Sequence, residues 1–203
     1  MPRLTREESR ARTRGLLVEA AGSEISRKGY ANASVRDIAA AAGFSQGAFY
    51  SNFQGKDDIL LEVVRRHQTE ERGRVQRVLD DASGDPAAAL AGLQRWAATL
   101  NPDDGSVALT IELQLQALRN PVFAEGYQAL NKVHMSELGH LIVRLLGLFG
   151  KQMPGDPVEI ATGFIALGRG MALMARDMAP GSTGRVAMMF LRAMISAAQA
   201  GAA

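Results

Sequence analysis

Four of the seven prolines directly follow an aspartate or an asparagine, and three of these pairs, each at the head of a helical segment, constrain the fold more than any other feature of the sequence. The three pairs are Asp85-Pro86, Asn120-Pro121 and Asp156-Pro157. A side-chain acceptor at the N-cap bonds an unpaired backbone amide, and a proline in the first helical position needs no amide hydrogen. Each pair therefore predicts the start of a helix.

Hydroxyl side chains predict further helix starts. Thr5 with Glu8, and Ser34 with Asp37, resemble capping boxes, while Ser45 and Ser182 are candidate N-caps. β-Branched runs are lacking and helix-forming residues dominate, so we expect an all-α protein. The sequence predicts about nine helices, at residues 5–28, 35–41, 45–52, 56–82, 86–100, 104–119, 121–150, 157–179 and 182–199.

Composition favours a folded protein whose activity is binding. The 203 residues are 47% hydrophobic and 22% charged, and none is a cysteine. This excludes disulfides, thiolate nucleophiles and cysteine-ligated metals. His134 and His140 are six residues apart, which places them on different faces of a helix, so we expect no metal site. The sequence has no recognisable nucleophile–base or paired-carboxylate pattern, and we expect no cofactor and no enzyme activity.

Two apolar stretches, residues 138–150 and 160–175, are interrupted by Arg144 and Arg169. Neither reaches the roughly 18 uninterrupted apolar residues of a membrane span. The charged amino terminus does not resemble a targeting segment. We therefore expect a cytoplasmic protein that has no membrane partner.

Charge is unevenly distributed along the chain. The formal net charge is +2, but residues 1–56 hold nine basic and five acidic side chains, which leaves +4 there and −2 in the remainder. A basic amino-terminal module on a mildly acidic body is the layout of a nucleic-acid-binding protein, although a charge run is often only a solvated face.

Residues 34–53 read SVRDIAAAAGFSQGAFYSNF and predict two short helices joined by a tight turn at Gly43. Ile38 and Ala39 are expected to face inward from the first helix, and Phe49 and Phe53 from the second. The polar surface left on the second helix consists of Gln46, Gly47, Tyr50 and Ser51. A helix-turn-helix displays such a surface to base edges in a major groove.

The longer string GYANASVRDIAAAAGFSQGAFYSNFQGKDDIL, residues 29–60, resembles the amino-terminal signature of the TetR family. The resemblance lies in a Gly-Tyr helix exit, a serine opening the next helix, Ile-Ala, Ala-Gly-Phe-Ser, Gly-Ala-Phe-Tyr, a following aromatic residue and a lysine. Asn52 departs from the pattern, since the family most often has histidine there. The motif covers about a quarter of the chain.

The resemblance implies a helix-turn-helix domain over residues 1–55 and an effector-binding and dimerisation domain over residues 56–203. It implies that Ser34, Tyr50 and Lys56 hold phosphates, while Arg36, Gln46 and Gly47 approach base edges. The full set of implied DNA-binding residues is Ser34, Arg36, Ser45, Gln46, Gly47, Tyr50, Ser51, Asn52 and Lys56. For Tyr50 the alternative is a half-buried core aromatic, and for Arg36 it is a solvated helix charge. Residues Arg3, Arg6 and Arg10 form either a minor-groove arm or a frayed basic terminus.

The resemblance further implies a homodimeric repressor that binds double-stranded DNA at a palindromic operator and is released by a small-molecule effector. Few charges lie in the expected effector region, which favours a largely apolar effector. Candidate effector contacts are the large or polar groups Trp96, Leu100, Leu113, Gln116, Tyr127, His134 and Met174. Candidate dimer contacts on the last two helices are Phe164, Leu167, Gly168, Met171, Met189, Phe190 and Met194. For both sets the alternative is ordinary packing inside one subunit.

Three other functions stay open at this point. One is an activator rather than a repressor. Another is a helical dimer that acts through protein contacts, and the third is an all-helical enzyme. The last would need a partner for Glu112 or Glu137, and the sequence offers none.

Overall fold

The regular structure is helical throughout the part of the chain that the structure describes. The computed structural model describes residues 5–100, 104–174 and 178–200. Its helices are α1 (Arg6–Lys28), α2 (Val35–Ala41), α3 (Gln46–Tyr50), α4 (Lys56–Asp81), α5 (Pro86–Ala98), α6 (Asp104–Arg119), α7 (Pro121–Leu148), α8 (Pro157–Leu173) and α9 (Ser182–Ala197). Lys151 and Ala200 form an isolated antiparallel bridge. The predicted all-α fold with about nine helices is confirmed.

Helix starts follow the predicted caps. The Asp85 carboxylate accepts a hydrogen bond from the amide of Ala87, and Asp156 caps α8 in the same way. Asn120 Oδ1 accepts from the amide of Phe123 at 3.1 Å. Both predicted capping boxes, Thr5 with Glu8 and Ser34 with Asp37, are formed. The sequence located these starts because each depends on a local side chain-to-backbone hydrogen bond.

Helix ends were predicted less well. Helix α8 ends at Leu173, so its predicted extension to residue 179 is wrong. The N-cap of α9 is Gly181, in the left-handed conformation with φ of 74°, and Ser182 is the first helical residue rather than the cap. The apolar and small residues at the end of α8 carry no stop signal, because methionine and alanine continue a helical pattern as readily as they end one.

The chain separates into two compact units. The first unit contains residues 5–67 and 104–130, and the second contains residues 68–100, 131–174 and 178–200. Two of the boundaries between the units fall within α4 and α7, and the third lies at the start of α6. The predicted division at residue 55 separates a DNA-binding domain from an effector-binding and dimerisation domain, and it stays a prediction.

Two apolar clusters hold the first unit together. One packs α1, α2, α3 and the start of α4 around Leu17, Ile38 and Phe49, which are all fully buried. The other packs α1, α4, α6 and α7 around Ile25, Leu60 and Phe123. Burying a large side chain contributes about 1.5–3 kcal/mol, so these clusters fix the short helices α2 and α3, which would not be stable alone.

The second unit is held by one cluster that includes Leu93, Leu145 and Leu191. Within it α5 and α9 approach very closely at Gly184, where an added Cβ would lie 1.9 Å from the carbonyl oxygen of Ala97. No side chain other than hydrogen fits there, so Gly184 sets the spacing of the two helices.

Candidate nucleic-acid interface

The start of α2 is fixed by three reciprocal hydrogen bonds between Ser34 and Asp37. The Ser34 hydroxyl donates to Asp37 Oδ2 at 2.7 Å and accepts from the Asp37 amide at 3.0 Å, and the Ser34 amide donates to the same carboxylate. These bonds from Ser34, followed by the Lys28 ammonium, lower the pKa of Asp37 to about 2. Ser34 therefore stands at the exposed amino terminus of α2. Its predicted phosphate contact stays a prediction.

The turn between α2 and α3 depends on Gly43. Its φ of +78° lies in the left-handed region, and Phe44 donates its amide to the carbonyl of Ala39 at 2.8 Å. Glycine adopts this conformation without steric cost. Ser45 then caps α3 by accepting from the amide of Ala48. The predicted helix-turn-helix is present, although α3 is shorter than the predicted 45–52.

The inner side of the helix-turn-helix is aromatic. Phe49 and Phe53 are buried, and their ring centroids lie 5.7 Å apart. They pack in the cluster that contains Leu17 and Ile38, and Phe44 lies half-buried against the same cluster. The inward positions predicted for Ile38, Ala39, Phe49 and Phe53 are confirmed. This packing sets which side of α3 faces out.

The outer side of α3 presents Gln46, Gly47, Tyr50 and Ser51, all of them exposed. Tyr50 is 58% exposed, so it is not part of the core. The Ser51 hydroxyl donates to the carbonyl of Gly47 at 2.8 Å. A Cβ on Gly47 would meet only Ser45 Oγ, at an ordinary 3.6 Å. The fold itself does not require glycine at this position, which leaves an open approach to the α3 backbone.

Two predicted DNA-binding residues have partners inside the chain. Asn52 donates from Nδ2 to the carbonyl of Ala48 at 2.8 Å, and its Oδ1 is buried without a hydrogen-bond partner among the described residues. Lys56 donates from Nζ to the carbonyl of Tyr30 at 2.8 Å and lies 4.4 Å from the centroid of that ring. An ammonium has three donors, so Lys56 keeps two for other acceptors.

Two arginines of α1 contact the residues just after α3. Sequence reasoning missed Arg14, and it assigned Arg10 only to a minor-groove arm or a frayed terminus. Arg14 donates to the carbonyl of Asn52 at 2.7 Å, and Arg10 approaches the carbonyl of Ser51 at 3.4 Å. Their spacing of four residues, which puts both on one face of a helix, was the available signal. Arg6 and Arg36 are exposed on α1 and α2, and Arg3 lies outside the described residues.

The helix-turn-helix region matches a known family. The model of bacterial regulatory proteins of the tetR family matches residues 17–63, which include all of α2 and α3 and their packing partners on α1 and α4. This region of the chain belongs to the TetR family.

Relatives of the chain match it over part of their length. The HTH-type transcriptional regulator CymR of Pseudomonas putida is 31% identical over 140 residues, which cover 62% of this chain and 61% of CymR. The HTH-type transcriptional repressor KstR2 of Mycolicibacterium smegmatis is 35% identical over 83 residues, covering 41% of this chain and 40% of KstR2. The matched stretches thus span less than two thirds of either relative.

Solved structures share the fold over nearly the whole chain. A TetR-family transcriptional regulator from Mesorhizobium loti superposes with a TM-score of 0.73 at 20% identity, covering 96% of this chain and 99% of the other. At this identity the likeness concerns the fold alone.

The candidate effector residues are divided between the two units. Leu113, Gln116 and Tyr127 belong to the first unit. Gln116 donates to Asp57 Oδ1 at 2.8 Å, while Tyr127 is buried and its hydroxyl accepts from Gln114. Leu113 packs against the cluster around Phe123. All three have structural contacts within that unit, and their effector role stays a prediction.

Trp96, Leu100, His134 and Met174 belong to the second unit. Trp96 and Leu100 pack on its apolar cluster, and Met174 is 62% exposed. The indole Nε1 of Trp96 is buried and has no hydrogen-bond partner in the described part of the chain. A buried donor without a partner is uncommon in native proteins and is often explained by a bound water or ligand.

His134 lies in a buried polar cluster between α4 and α7 that the sequence did not indicate. The Arg72 guanidinium lies 3.0 Å from His134 Nδ1 and pairs with Glu137. Arginine only donates, so Nδ1 is the acceptor and Nε2 carries the proton, facing Glu71 at 3.4 Å. Beside it, Gln68 donates to Asn131 at 2.9 Å. His134 thus has partners on both ring nitrogens.

The candidate dimer residues differ in exposure between α8 and α9. On α9, Met189 is 59% and Phe190 is 51% exposed, whereas Met194 is half-buried. The four residues predicted on α8 are half-buried, namely Phe164, Leu167, Gly168 and Met171. The exposed stripe of α8 lies on a neighbouring face of the helix and consists of Gly163, Ala166, Gly170 and Leu173.

No group of three or more histidine, aspartate or glutamate side chains suited to a metal ion occurs among the described residues. In the same residues, no helix combines the length and the apolar character that crossing a bilayer requires.

Proposed function

We propose that the protein is a homodimeric transcriptional repressor that binds a palindromic DNA operator and is released from it by a small, largely apolar effector. The exposed polar face of α3, held outward by Phe49 and Phe53, is the observation that carries the proposal. The repressor sense is supported by the name of KstR2, which is described as a repressor.

DNA binding is assigned to the exposed face of α3 and to the helix starts beside it. Gln46 presents an amide that pairs with adenine through two hydrogen bonds, and Gly47 lets the backbone come close to the base edges. Tyr50 carries an exposed hydroxyl for phosphate, and Ser34 and Arg36, at the start of α2, are exposed as well. The net charge of +4 in residues 1–56 supplies the attraction that is independent of sequence.

Dimerisation is assigned to α8 and α9. The stripe of Gly163, Ala166 and Gly170 is exposed and small, so a second helix can approach it closely. Exposed Leu173, Met189 and Phe190 supply apolar area beside it. Two copies of this helix pair make a four-helix interface with two-fold symmetry, which matches a palindromic operator.

Effector binding is assigned to the second unit, in the region of Trp96. Its surroundings in the apolar cluster favour an apolar ligand, and its buried N–H favours one hydrogen-bond acceptor on that ligand. The charged side chains Arg72, Glu71 and Glu137 are bonded to His134 or to one another, so they do not call for a charged effector.

DNA selection tests the central part of the proposal. Purified protein is incubated with a random duplex library, and the bound DNA is amplified and sequenced. We expect enrichment of a palindrome whose half-sites lie about one helical turn apart, or a multiple of it. Recovery of sequences that are no more alike than the input library would contradict sequence-specific binding.

The effector part has its own readout because Trp96 is the single tryptophan. Apolar small molecules are screened for a change in tryptophan fluorescence, and each active compound is then added to the complex with the selected duplex. We expect the same compounds to release the DNA over the same concentration range. Compounds that change the fluorescence and leave the complex intact would contradict effector release.

A reporter driven by the native promoter, with and without the gene, separates a repressor from an activator.

A further inference from the structure

The carboxyl end of α3 lacks stabilising charge of its own. The helix has five residues and no basic side chain in its last turn. The carbonyls of a helix end carry partial negative charge and need hydrogen-bond donors. Within the segment, Asn52 Nδ2 bonds the carbonyl of Ala48, and the amide of Phe53 bonds that of Phe49. The carbonyls of Ser51 and Asn52, which directly follow the helix, are contacted by side chains from α1.

Arg14 makes contacts on three sides of its guanidinium. One nitrogen donates to the carbonyl of Asn52 at 2.7 Å, and another lies 3.4 Å from the Glu62 carboxylate on α4. The face of the group lies 4.2 Å from the ring centroid of Phe53, which is itself buried. Arg10, one turn earlier on α1, adds the longer contact to Ser51. A planar guanidinium suits this combination of stacking and hydrogen bonding, and an ammonium does not.

We propose that Arg14, assisted by Arg10, is a positioning residue that orients α3 by binding the backbone at its carboxyl end. The inference rests on the proposed DNA binding and deepens it. Readout of base edges depends on the angle at which a helix of only five residues enters the groove, and Arg14 joins that helix to α1 and α4. Two of its five donors and the face of the group are directed to Asn52, Glu62 and Phe53, so we assign Arg14 a positioning role rather than a DNA contact.

The test compares Arg14→Gln with Arg12→Gln. Arg12 is exposed on the same helix, and its substitution removes the same charge. For the wild type and both variants, dissociation constants are measured with the duplex selected by the wild type and with random duplex, at several salt concentrations. We expect Arg14→Gln to lose about tenfold or more in affinity for the selected duplex, while its affinity for random duplex matches that of Arg12→Gln.

A second variant and a second measurement keep the test decisive if Arg14→Gln loses part of its folded structure. Arg14→Lys keeps the charge and one of the contacts, so it should restore only part of the affinity for the selected duplex. Backbone hydrogen exchange should be faster in residues 47–53 of either Arg14 variant than in Arg12→Gln, with α1 and α2 unchanged.

Several outcomes would overturn the assignment. One is equal affinity of Arg14→Gln and Arg12→Gln for the selected duplex. Another is a loss of affinity in Arg14→Gln by the same factor for both duplexes, with a slope of log affinity against log salt concentration that is smaller by about one. This result would indicate that Arg14 contacts a phosphate. A third is full activity and unchanged exchange in Arg14→Lys. Failure of the wild type itself to prefer any duplex would instead contradict the proposed function, and this result is distinct from the others.

Discussion

The hydroxyl of Tyr30 donates a hydrogen bond to Oδ1 of Asp57 at 2.6 Å and thereby joins the exit of α1 to the first turn of α4. The same carboxylate accepts from Gln116 and from Asn120, both at 2.8 Å. One side chain therefore collects donors from three separate parts of the first unit. The burial of Tyr30 and its bond to Asp57 raise the pKa of the phenol, which keeps it a donor at neutral pH.

Replacing Asp57 with alanine should destabilise the first unit. Three part-buried donors would lose their acceptor, and we expect the free energy of unfolding to fall by about 2–4 kcal/mol. Urea denaturation at fixed protein concentration measures the change. Glu125→Ala, which removes an exposed carboxylate from α7 in the same unit, is the matched control and should change stability by no more than about 0.5 kcal/mol. Equal effects of the two substitutions would show that the network around Asp57 adds nothing.

The pKa of Asp37 should depend on the hydroxyl of Ser34. Because the pKa in the folded protein is lowered to about 2 from the ordinary 3.8, this group stabilises the fold above pH 3.8, and that contribution is lost as the pH falls toward 2. Ser34→Ala removes the largest cause of the shift, so the pKa should move back toward its ordinary value. Carboxyl titration by NMR measures it, with Ser34→Thr as the control that keeps a hydroxyl. An unchanged pKa in Ser34→Ala would contradict the capping box.

The sequence predicted those parts of the fold that depend on local hydrogen bonds. Asp85, Ser34 and Gly43 indicate a cap or a turn by their chemistry alone, and each is where the sequence placed it. The family resemblance read from the sequence rests on the same local pattern, which is why it is confined to residues 29–60, around the helix-turn-helix.

Contacts between residues distant in sequence were not predictable in this way. Nothing local indicates that Gln116 bonds Asp57, 59 positions earlier, or that His134 lies between Arg72 and Glu71. Likewise, the face of α8 that stays exposed depends on how the helix packs inside its unit. Its small and apolar residues occur on every side, so the sequence favoured the large side chains of Phe164 and Leu167 and gave no reason to select Ala166.

Gly184→Ala should disrupt the second unit. The new Cβ would lie 1.9 Å from the carbonyl oxygen of Ala97 and 2.5 Å from its carbon, so α5 and α9 would have to separate. We expect a loss of at least about 3 kcal/mol, measured by thermal or urea unfolding. In Gly73→Ala, on α4, the Cβ would meet only the tip of Arg77 at 3.6 Å, and higher helix propensity should stabilise this control by up to about 1 kcal/mol. Similar stability of the two variants would contradict the close crossing.

Ala166→Glu should convert the proposed dimer into a monomer. The substitution places a charge in the middle of the exposed small stripe of α8, where a dimer would bury it without a partner. Light scattering after size-exclusion chromatography measures the mass, and circular dichroism shows whether the helices persist. Ala88→Glu, at an exposed position of α5, is the control and should remain a dimer. A folded Ala166→Glu dimer would place the interface elsewhere.

The ratio of two dissociation constants tests the central claim most directly. The protein is titrated at about 150 mM salt with the duplex recovered by selection and with random duplex of equal length. Specific binders of DNA typically prefer their site by 10³-fold or more, and Gln46→Ala should reduce the ratio while leaving affinity for random duplex nearly unchanged. We therefore expect a ratio of about 10³ or more for the wild type. Equal affinity for the two duplexes would contradict a regulator that reads DNA through α3.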